Sequence, residues 1–354
     1  MPSDTSQPLR AVIPKTPEGV SAAEQWPVSV EVDWVELEFT NNKPNPSLIA
    51  DADVIVDHSF NAEMGAAAKS LKAIFFAAAG YDQIDPAAIP HSVVVANAYQ
   101  HEAPIAEWVM AMAVALDHEL IQSDRTFRNG DWPQWPFRHG SVRELYGRTF
   151  GIIGYGAIDK RVARLANAYD MKVIAAGRRS ETATKAEADN VEYGAGQDAM
   201  DRVLAESDFV LVSTPLVKST RGLTGEREIG FMSNDAYLIN PARGPIVDEK
   251  ALYEAVASRS IAGAAIDTWY EYPVETDNSP RPSKYPFWEL DNVIMTPHIS
   301  GATFGTFERR AKTVTANIDR LTRGEPLENV IDELAGWSSE RLARIGQRSL
   351  VSGL

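Results

Sequence analysis

A chain of 354 residues with 44% hydrophobic and 23% charged residues has the composition of a soluble globular protein with room for two domains. Its formal charge of −15 is repelled by phosphate backbones and anionic lipid, which excludes nucleic acid and membrane as expected partners and leaves only a local basic pocket for a small anion. There is no cysteine, so disulfides, thiolate catalysis and cysteine-held metals are excluded together.

The opening stretch "MPSDTSQPLRAVIPKTPEGV" lacks the apolar core of a signal peptide, and a cytoplasmic location is expected. In the first hundred residues "ADVIVD" (52–57), "LKAIFFAAAG" (71–80) and "SVVVAN" (92–97) are predicted strands, short and rich in β-branched or aromatic residues. A long helix is predicted from near Pro104 to about Phe127, proline suiting a first turn. Its apolar run "IAEWVMAMAVAL", interrupted by Glu107, is too short to span a bilayer. After the loop "NGDWPQWPFRHG" come six more predicted strands: "TFGIIG" (149–154), "MKVIAAG" (171–177), "DFVLVST" (208–214), "AYLIN" (236–240), "GAAIDT" (263–268) and "NVIMTP" (292–297). They are apolar on both faces, as in a parallel sheet covered by helices. An amphipathic stretch at 303–323 can pack back on the first domain, and the polar tail beyond is peripheral. The expected organisation is thus a discontinuous domain of residues 1–115 and 305–354 around a second domain of 116–304.

The stretch "GIIGYGAIDK" runs a strand into a glycine turn and a helix. Gly154 allows the tight turn, Gly156 lets the backbone approach a pyrophosphate, and Tyr155, Ala157 and Ile158 complete the turn at the helix N-terminus. The third fingerprint glycine, which permits close helix–strand packing, is replaced by Asp159. Pointed outward, Asp159 is tolerable, with Lys160 and Arg161 near enough to soften its charge. About 20 residues further on, where an acid would hold the ribose hydroxyls of NAD, stands Gly177-Arg178-Arg179-Ser180. Two guanidiniums and a hydroxyl suit a ribose 2′-phosphate, so NADP is the expected cofactor, with NAD as the alternative.

With "AAAGYDQID" (77–85), "APIAEW" (103–108), "INPARGPIVDEKAL" (239–252), "AAIDTW" (264–269) and "MTPHISG" (295–301) in this order, the chain resembles the D-isomer-specific 2-hydroxyacid dehydrogenase family. The resemblance runs from about Phe75 to Leu327. It implies two Rossmann-like, doubly wound parallel-sheet domains with an active-site cleft between them, and a homodimer formed through the cofactor domain. It implies hydride exchange between a nicotinamide dinucleotide and a small 2-oxo or D-2-hydroxy acid of the glyoxylate or hydroxypyruvate type. By the same resemblance Arg243 binds and polarises substrate, His298 exchanges the proton, and the backbone at Ala79 and Gly80 grips the carboxylate. Asp267 faces the nicotinamide, and Thr214, Pro215, Pro241, Ala242 and Gly301 line the cofactor. An arginine fork and a histidine of near-neutral pKa are the residue types this chemistry needs.

The family's histidine-pairing acid falls at Tyr272 here, with Glu271 one residue early. Either Glu271 serves, or Tyr272 leaves the histidine a neutral partner, as in formate dehydrogenases. His101, just before the linking helix, either touches substrate or caps that helix. No spacing of His, Asp and Glu resembles a metal site. The alternatives to a 2-oxo acid reductase are formate-type oxidation on the same fold and a dinucleotide-sensing binding protein with decayed catalysis.

Overall fold

The computed structural model describes residues 8–16, 18, 20–40, 43–81, 84–132, 135–138, 141–273, 280–331 and 334. The polar tail, His139 and part of the tryptophan-rich loop lie outside the described residues. The chain divides into two compact units, Met1–Gln100 with Phe304–Leu354, and His101–Thr303.

The first unit holds β1 (Leu9–Ile13), α1 (Ala22–Gln25), β2 (Val32–Glu36), a ribbon of β3 (Phe39–Thr40) and β4 (Lys43–Pro44), α2 (Pro46–Ile49), β5 (Val54–Asp57), α3 (Ala62–Ala67), β6 (Ala73–Phe76) and β7 (Val94–Asn97). Its five-stranded sheet has the order β2-β1-β5-β6-β7, parallel throughout.

The second unit holds α4 (Glu102–Asp117), α5 (Leu120–Arg128), β8 (Thr149–Ile153), α6 (Ala157–Ala168), β9 (Lys172–Gly177), α7 (Ala183–Ala188), β10 (Glu192–Ala195), α8 (Gln197–Glu206), β11 (Phe209–Val212), α9 (Glu226–Ile229), β12 (Tyr237–Asn240), α10 (Glu249–Ala257), β13 (Gly263–Ile266) and β14 (Val293–Met295). These strands form one parallel sheet in the order β10-β9-β8-β11-β12-β13-β14. The last helix, α11 (Phe304–Arg323), belongs to the first unit.

Both sheets are covered on both faces, which is why their strands read as unbroken apolar runs. In the second unit Phe150, Ile152, Phe209, Leu211 and Ile239 face one cluster, with Val162, Ala163 and Ala166 of α6 and Val109 and Ala113 of α4. Alternate residues Ile153, Val210, Val212 and Leu238 face the other, with α8 and α10. In the first unit Ile55, Ile74 and Val95 face one cluster and Val54, Val56, Ala73 and Phe75 the other, where Ala311, Val314 and Ile318 of α11 close the layer. Each valine, leucine, isoleucine or phenylalanine among them, fully withdrawn from water, contributes about 1.5–3 kcal/mol before the entropy of ordering is subtracted.

Three local features differ from the sequence expectation. The predicted long helix is two helices, because Glu119 takes a left-handed φ of 50° between α4 and α5. The strands β1, β2 and β10 were not marked in the sequence, and two of them lie at sheet edges. The contacts divide the chain at 100/101 rather than 115/116, since α4 packs its apolar face on α6.

Candidate active site

The second sheet changes direction between β8 and β11, its first strand in chain order lying beside its fourth. Crevices outside the carboxyl ends of strands at such a switch point are where open α/β sheets bind ligands. The glycine turn leaves β8 at this place. Gly154 has φ 117°, and a Cβ on it would lie 3.1 Å from the Ser213 carbonyl oxygen, so the turn needs glycine for conformation and for room. Gly156 is the N-cap of α6, with Tyr155 before it and Ala157 and Ile158 opening the helix. The first N–H groups of a helix have no partner inside it and offer themselves to an anion. Across the switch point Thr214 Oγ1 is buried without a hydrogen-bond partner among the described residues. Pro215 follows, its carbonyl accepting the Thr220 hydroxyl at 2.6 Å. An orphaned hydroxyl beside a glycine turn and open helix amides fits a bound dinucleotide.

Asp159 does not point outward. It is 1% exposed, and its Oδ2 accepts the Gly156 N–H at 2.7 Å. Burial pushes its carboxyl up to about 6, against the lowering pull of the Gly156 N–H and the Ser213 hydroxyl. Neither Lys160 nor Arg161 is among the groups that set this value, so the expected softening by these two cations is absent.

Gly177 ends β9, and Arg178, Arg179 and Ser180 follow it into solvent. The Arg179 carbonyl accepts the Tyr193 hydroxyl at 2.9 Å. Neither guanidinium makes an ion pair or hydrogen bond among the described residues.

Three adjacent strands deliver the remaining residues at one edge of the sheet. Asn240, at the end of β12, pairs with Ile266 at the end of β13, which pairs with Met295 at the end of β14. Arg243, Asp267 and His298 lie just beyond these three ends. After β12, Pro241 is buried and the Asn240 side chain folds the turn, accepting the Ala242 N–H and donating to the Arg243 carbonyl, both at 3.1 Å. The Arg243 guanidinium donates to the Ala242 carbonyl at 2.8 Å. Gly244 lets this turn approach the next strand's exit: a Cβ there would lie 2.4 Å from the Trp269 carbonyl oxygen.

His298 occupies left-handed space at φ 58°, a conformation that costs a non-glycine residue free energy unless its surroundings impose it. Asp267, fully buried, imposes it. Its carbonyl accepts the His298 N–H at 2.8 Å. Its carboxylate accepts the Thr296 hydroxyl, the Ile299 N–H at 2.9 Å and the Ser300 N–H at 2.9 Å. Trp269 adds a hydrogen bond from Nε1 to the Thr296 carbonyl at 2.8 Å.

The ring itself meets Tyr272. The Tyr272 hydroxyl lies 3.0 Å from His298 Nδ1 and accepts the Trp269 N–H at 3.0 Å. Glu271, expected as the alternative, is exposed, and its backbone N–H is held by the Pro282 carbonyl. Of the two candidates it is therefore the phenol that reaches the imidazole. His101 is the N-cap residue of α4 and makes no capping hydrogen bond. It lies beside Gly301, where an added Cβ would come within 3.3 Å of the His101 Cβ.

In the first unit Ala79 and Gly80 lie in the loop after β6, which ends four residues before the predicted strand does. Buried Asn97 fixes that loop by donating to the Ala79 carbonyl at 2.8 Å. Asn97, Asn240, Thr296 and Ser300 are the supporting residues that motif reading passed over. Asn240 carried a signal, an asparagine before proline being a turn former.

Among the described residues no group of His, Asp and Glu could hold a metal ion, and no helix is long and apolar enough to cross a membrane. The family model described as D-isomer specific 2-hydroxyacid dehydrogenase, NAD binding domain, matches residues 110–300. A glyoxylate reductase of Pyrococcus furiosus is 33% identical over 291 residues, covering 78% of this chain and 81% of that protein. Among solved structures, an acyclic imino acid reductase in complex with NADPH and D-Arg superposes with a TM-score of 0.73 at 25% identity, covering 91% of this chain and 99% of its own. The D-mandelate dehydrogenase of Rhodotorula graminis shares the fold with a TM-score of 0.78 at 23% identity, over 92% of this chain and 98% of its own. On the matched model and on this extent of similarity to its relatives, the chain belongs to the D-isomer specific 2-hydroxyacid dehydrogenase family and is a nicotinamide-dinucleotide-dependent oxidoreductase.

Proposed function

We propose that the protein reduces a small 2-oxo acid of the glyoxylate or hydroxypyruvate type to its D-2-hydroxy acid, preferring NADP over NAD. The observation that carries the reaction is the convergence of Arg243, Asp267 and His298 on the ends of three neighbouring strands. The similarity to glyoxylate reductases supports the substrate class. When bound, the reduced nicotinamide supplies the hydride.

The residues of the chain supply the rest. Arg243 pairs the substrate carboxylate and steadies the negative charge that grows on the carbonyl oxygen. His298 gives that oxygen its proton from Nε2. The ring does so as imidazolium: the Nε2 proton leaves and the Nδ1 proton stays, held by the Tyr272 hydroxyl oxygen, which also accepts the Trp269 N–H. Oδ1 of Asp267 accepts two hydrogen bonds inside the turn and Oδ2 one, so one acceptor position of the carboxylate remains for the nicotinamide carboxamide. Ala79 and Gly80 offer backbone N–H groups to the carboxylate, and the first unit is the substrate domain. In the second unit His101, beside Gly301, is a further substrate contact.

NADP preference rests on Arg178 and Arg179, two exposed guanidiniums at the end of β9 where no acid stands to hold ribose hydroxyls. The chain further forms a homodimer in the cytoplasm, the exposed aromatic face after α5 being its contact.

Titration with NADPH and NADH in parallel tests the cofactor reading, followed by oxidation of the bound NADPH with glyoxylate and with hydroxypyruvate. NADPH is expected to bind at least tenfold tighter, and Arg178→Ala with Arg179→Ala to erase the difference while NADH affinity holds. Equal affinities in the unaltered protein overturn the preference. Absence of turnover over a panel of 2-oxo acids overturns the reductase assignment.

A further inference from the structure

Asp159 is the third residue of α6, at the place where the dinucleotide fingerprint has its last glycine. Its carboxyl is 1% exposed. Oδ2 is held by the N–H of Gly156, the N-cap of the helix, and Oδ1 is buried with no hydrogen-bond partner among the described residues. The groups that face it are the Gly156 N–H from the glycine turn, the Ser213 hydroxyl from the segment after β11, and the Tyr155 ring. The Tyr155 hydroxyl donates to Asp189 at the end of α7, and its own ionisation is made harder first by burial and then by both carboxylates. No lysine, arginine or histidine is among the groups that tune Asp159. A carboxylate here is therefore held by neutral donors alone, with no cation against it, and it occupies an amide of the very helix end that would receive a pyrophosphate.

We propose that binding of the dinucleotide pyrophosphate at the N-terminus of α6 is coupled to uptake of one proton by Asp159. The inference rests on the dinucleotide-binding reading above. When Asp159 is ionised, its charge sits within one helical turn of the phosphates and in surroundings that screen it poorly. When it is protonated, Oδ2 or Oδ1 becomes a donor that can turn from Gly156 towards a phosphate oxygen, and the N-cap amide is released to the ligand. The two anions thus compete for one helix end, and a proton decides between them.

The sign follows from the burial. The fold already favours the neutral carboxyl, with half-protonation near pH 6, and a second anion alongside favours it further. Affinity for the dinucleotide is then greatest below that pH and weakens as pH rises through it, by up to about tenfold per pH unit for one linked proton. The outcome for the protein is a cofactor affinity that is highest in mildly acid conditions.

The probe is NADH, because the 2′-phosphate of NADPH titrates in the same range. Its affinity for the full-length protein is measured from pH 5.5 to 8.5, and proton uptake is measured by calorimetry in buffers of different ionisation enthalpy. The unaltered protein is expected to weaken at least tenfold across the range and to take up close to one proton per NADH at pH 7.5. Asp159→Asn, which keeps the acceptor for Gly156, is expected to bind with a flat profile and no uptake. Asp159→Gly, which restores the fingerprint, provides the same comparison if the asparagine variant does not fold. Coincident pH profiles in the unaltered protein and both variants overturn the coupling while leaving dinucleotide binding intact. Failure of all three proteins to bind NADH or NADPH at any pH overturns the dinucleotide-binding reading and this inference with it.

Discussion

Tyr272 stands where a carboxylate would hold the imidazolium of His298 as a charged pair. A phenol 3.0 Å from Nδ1 can orient the ring and fix its tautomer, yet it adds no negative charge to favour the protonated form. Two variants separate these contributions. Tyr272→Phe removes the hydrogen bond and leaves the tilted ring contact, so kcat for reduction falls by up to about tenfold, the equivalent of one ordinary hydrogen bond. Tyr272→Glu brings a carboxylate towards Nδ1, so the pH above which reduction fails moves upward by about one unit. If Tyr272→Glu leaves the pH profile of kcat unmoved while folding normally, His298 is not the group whose protonation limits the reaction. Counting residues along the sequence could not choose between Glu271 and Tyr272. The choice depends on the reach of a phenol and on a loop in which the Trp269 N–H points at position 272, and both are three-dimensional facts.

At the scale of the element, the strands of the second unit were readable because a sheet buried on both faces selects unbroken apolar runs. β2 (VDWVE) mixes charged and apolar residues and β10 (EYGA) is four residues long with none buried, so neither shows such a run. The helix break at Glu119 escaped too, since the apolar run of α4 passes into the polar α5 with no glycine or proline to mark the join. The turn after β14 shows the same limit at the site. "MTPHISG" identifies the histidine, but nothing in it says that Asp267, thirty-one residues earlier, holds the turn in shape. Asp267→Asn replaces one acceptor oxygen by an NH₂ facing an N–H or a hydroxyl. A buried donor left unsatisfied costs about 1–3 kcal/mol, so a lower unfolding midpoint is expected, together with a fall in kcat measured at saturating cofactor. Retention of kcat with a large loss of NADPH affinity would instead assign Asp267 to the cofactor alone.

At the scale of the molecule, the question is what covers the aromatic face after α5. Phe127, Trp132, Trp135 and Phe137 form a chain of ring contacts with centroids 4.8–5.4 Å apart, and Phe137 is 86% exposed. An exposed apolar surface of this kind is a candidate interaction site. A second copy of the chain is the proposed occupant, and the formal charge of −15 on each copy makes that proposal testable in an unusual direction. Two acidic protomers repel, and the apolar face must overcome the repulsion. Added salt shortens the Debye length from about 10 Å at 0.1 M to about 3 Å at 1 M, so dimerisation measured by sedimentation should strengthen with salt. A dimer built from ion pairs between protomers would weaken over the same range. Trp135→Asp combined with Phe137→Asp adds charge and removes apolar area together, and should shift the protein to a monomer that still folds, both residues being exposed. A dimer unchanged by the double substitution would place the interface elsewhere on the molecule.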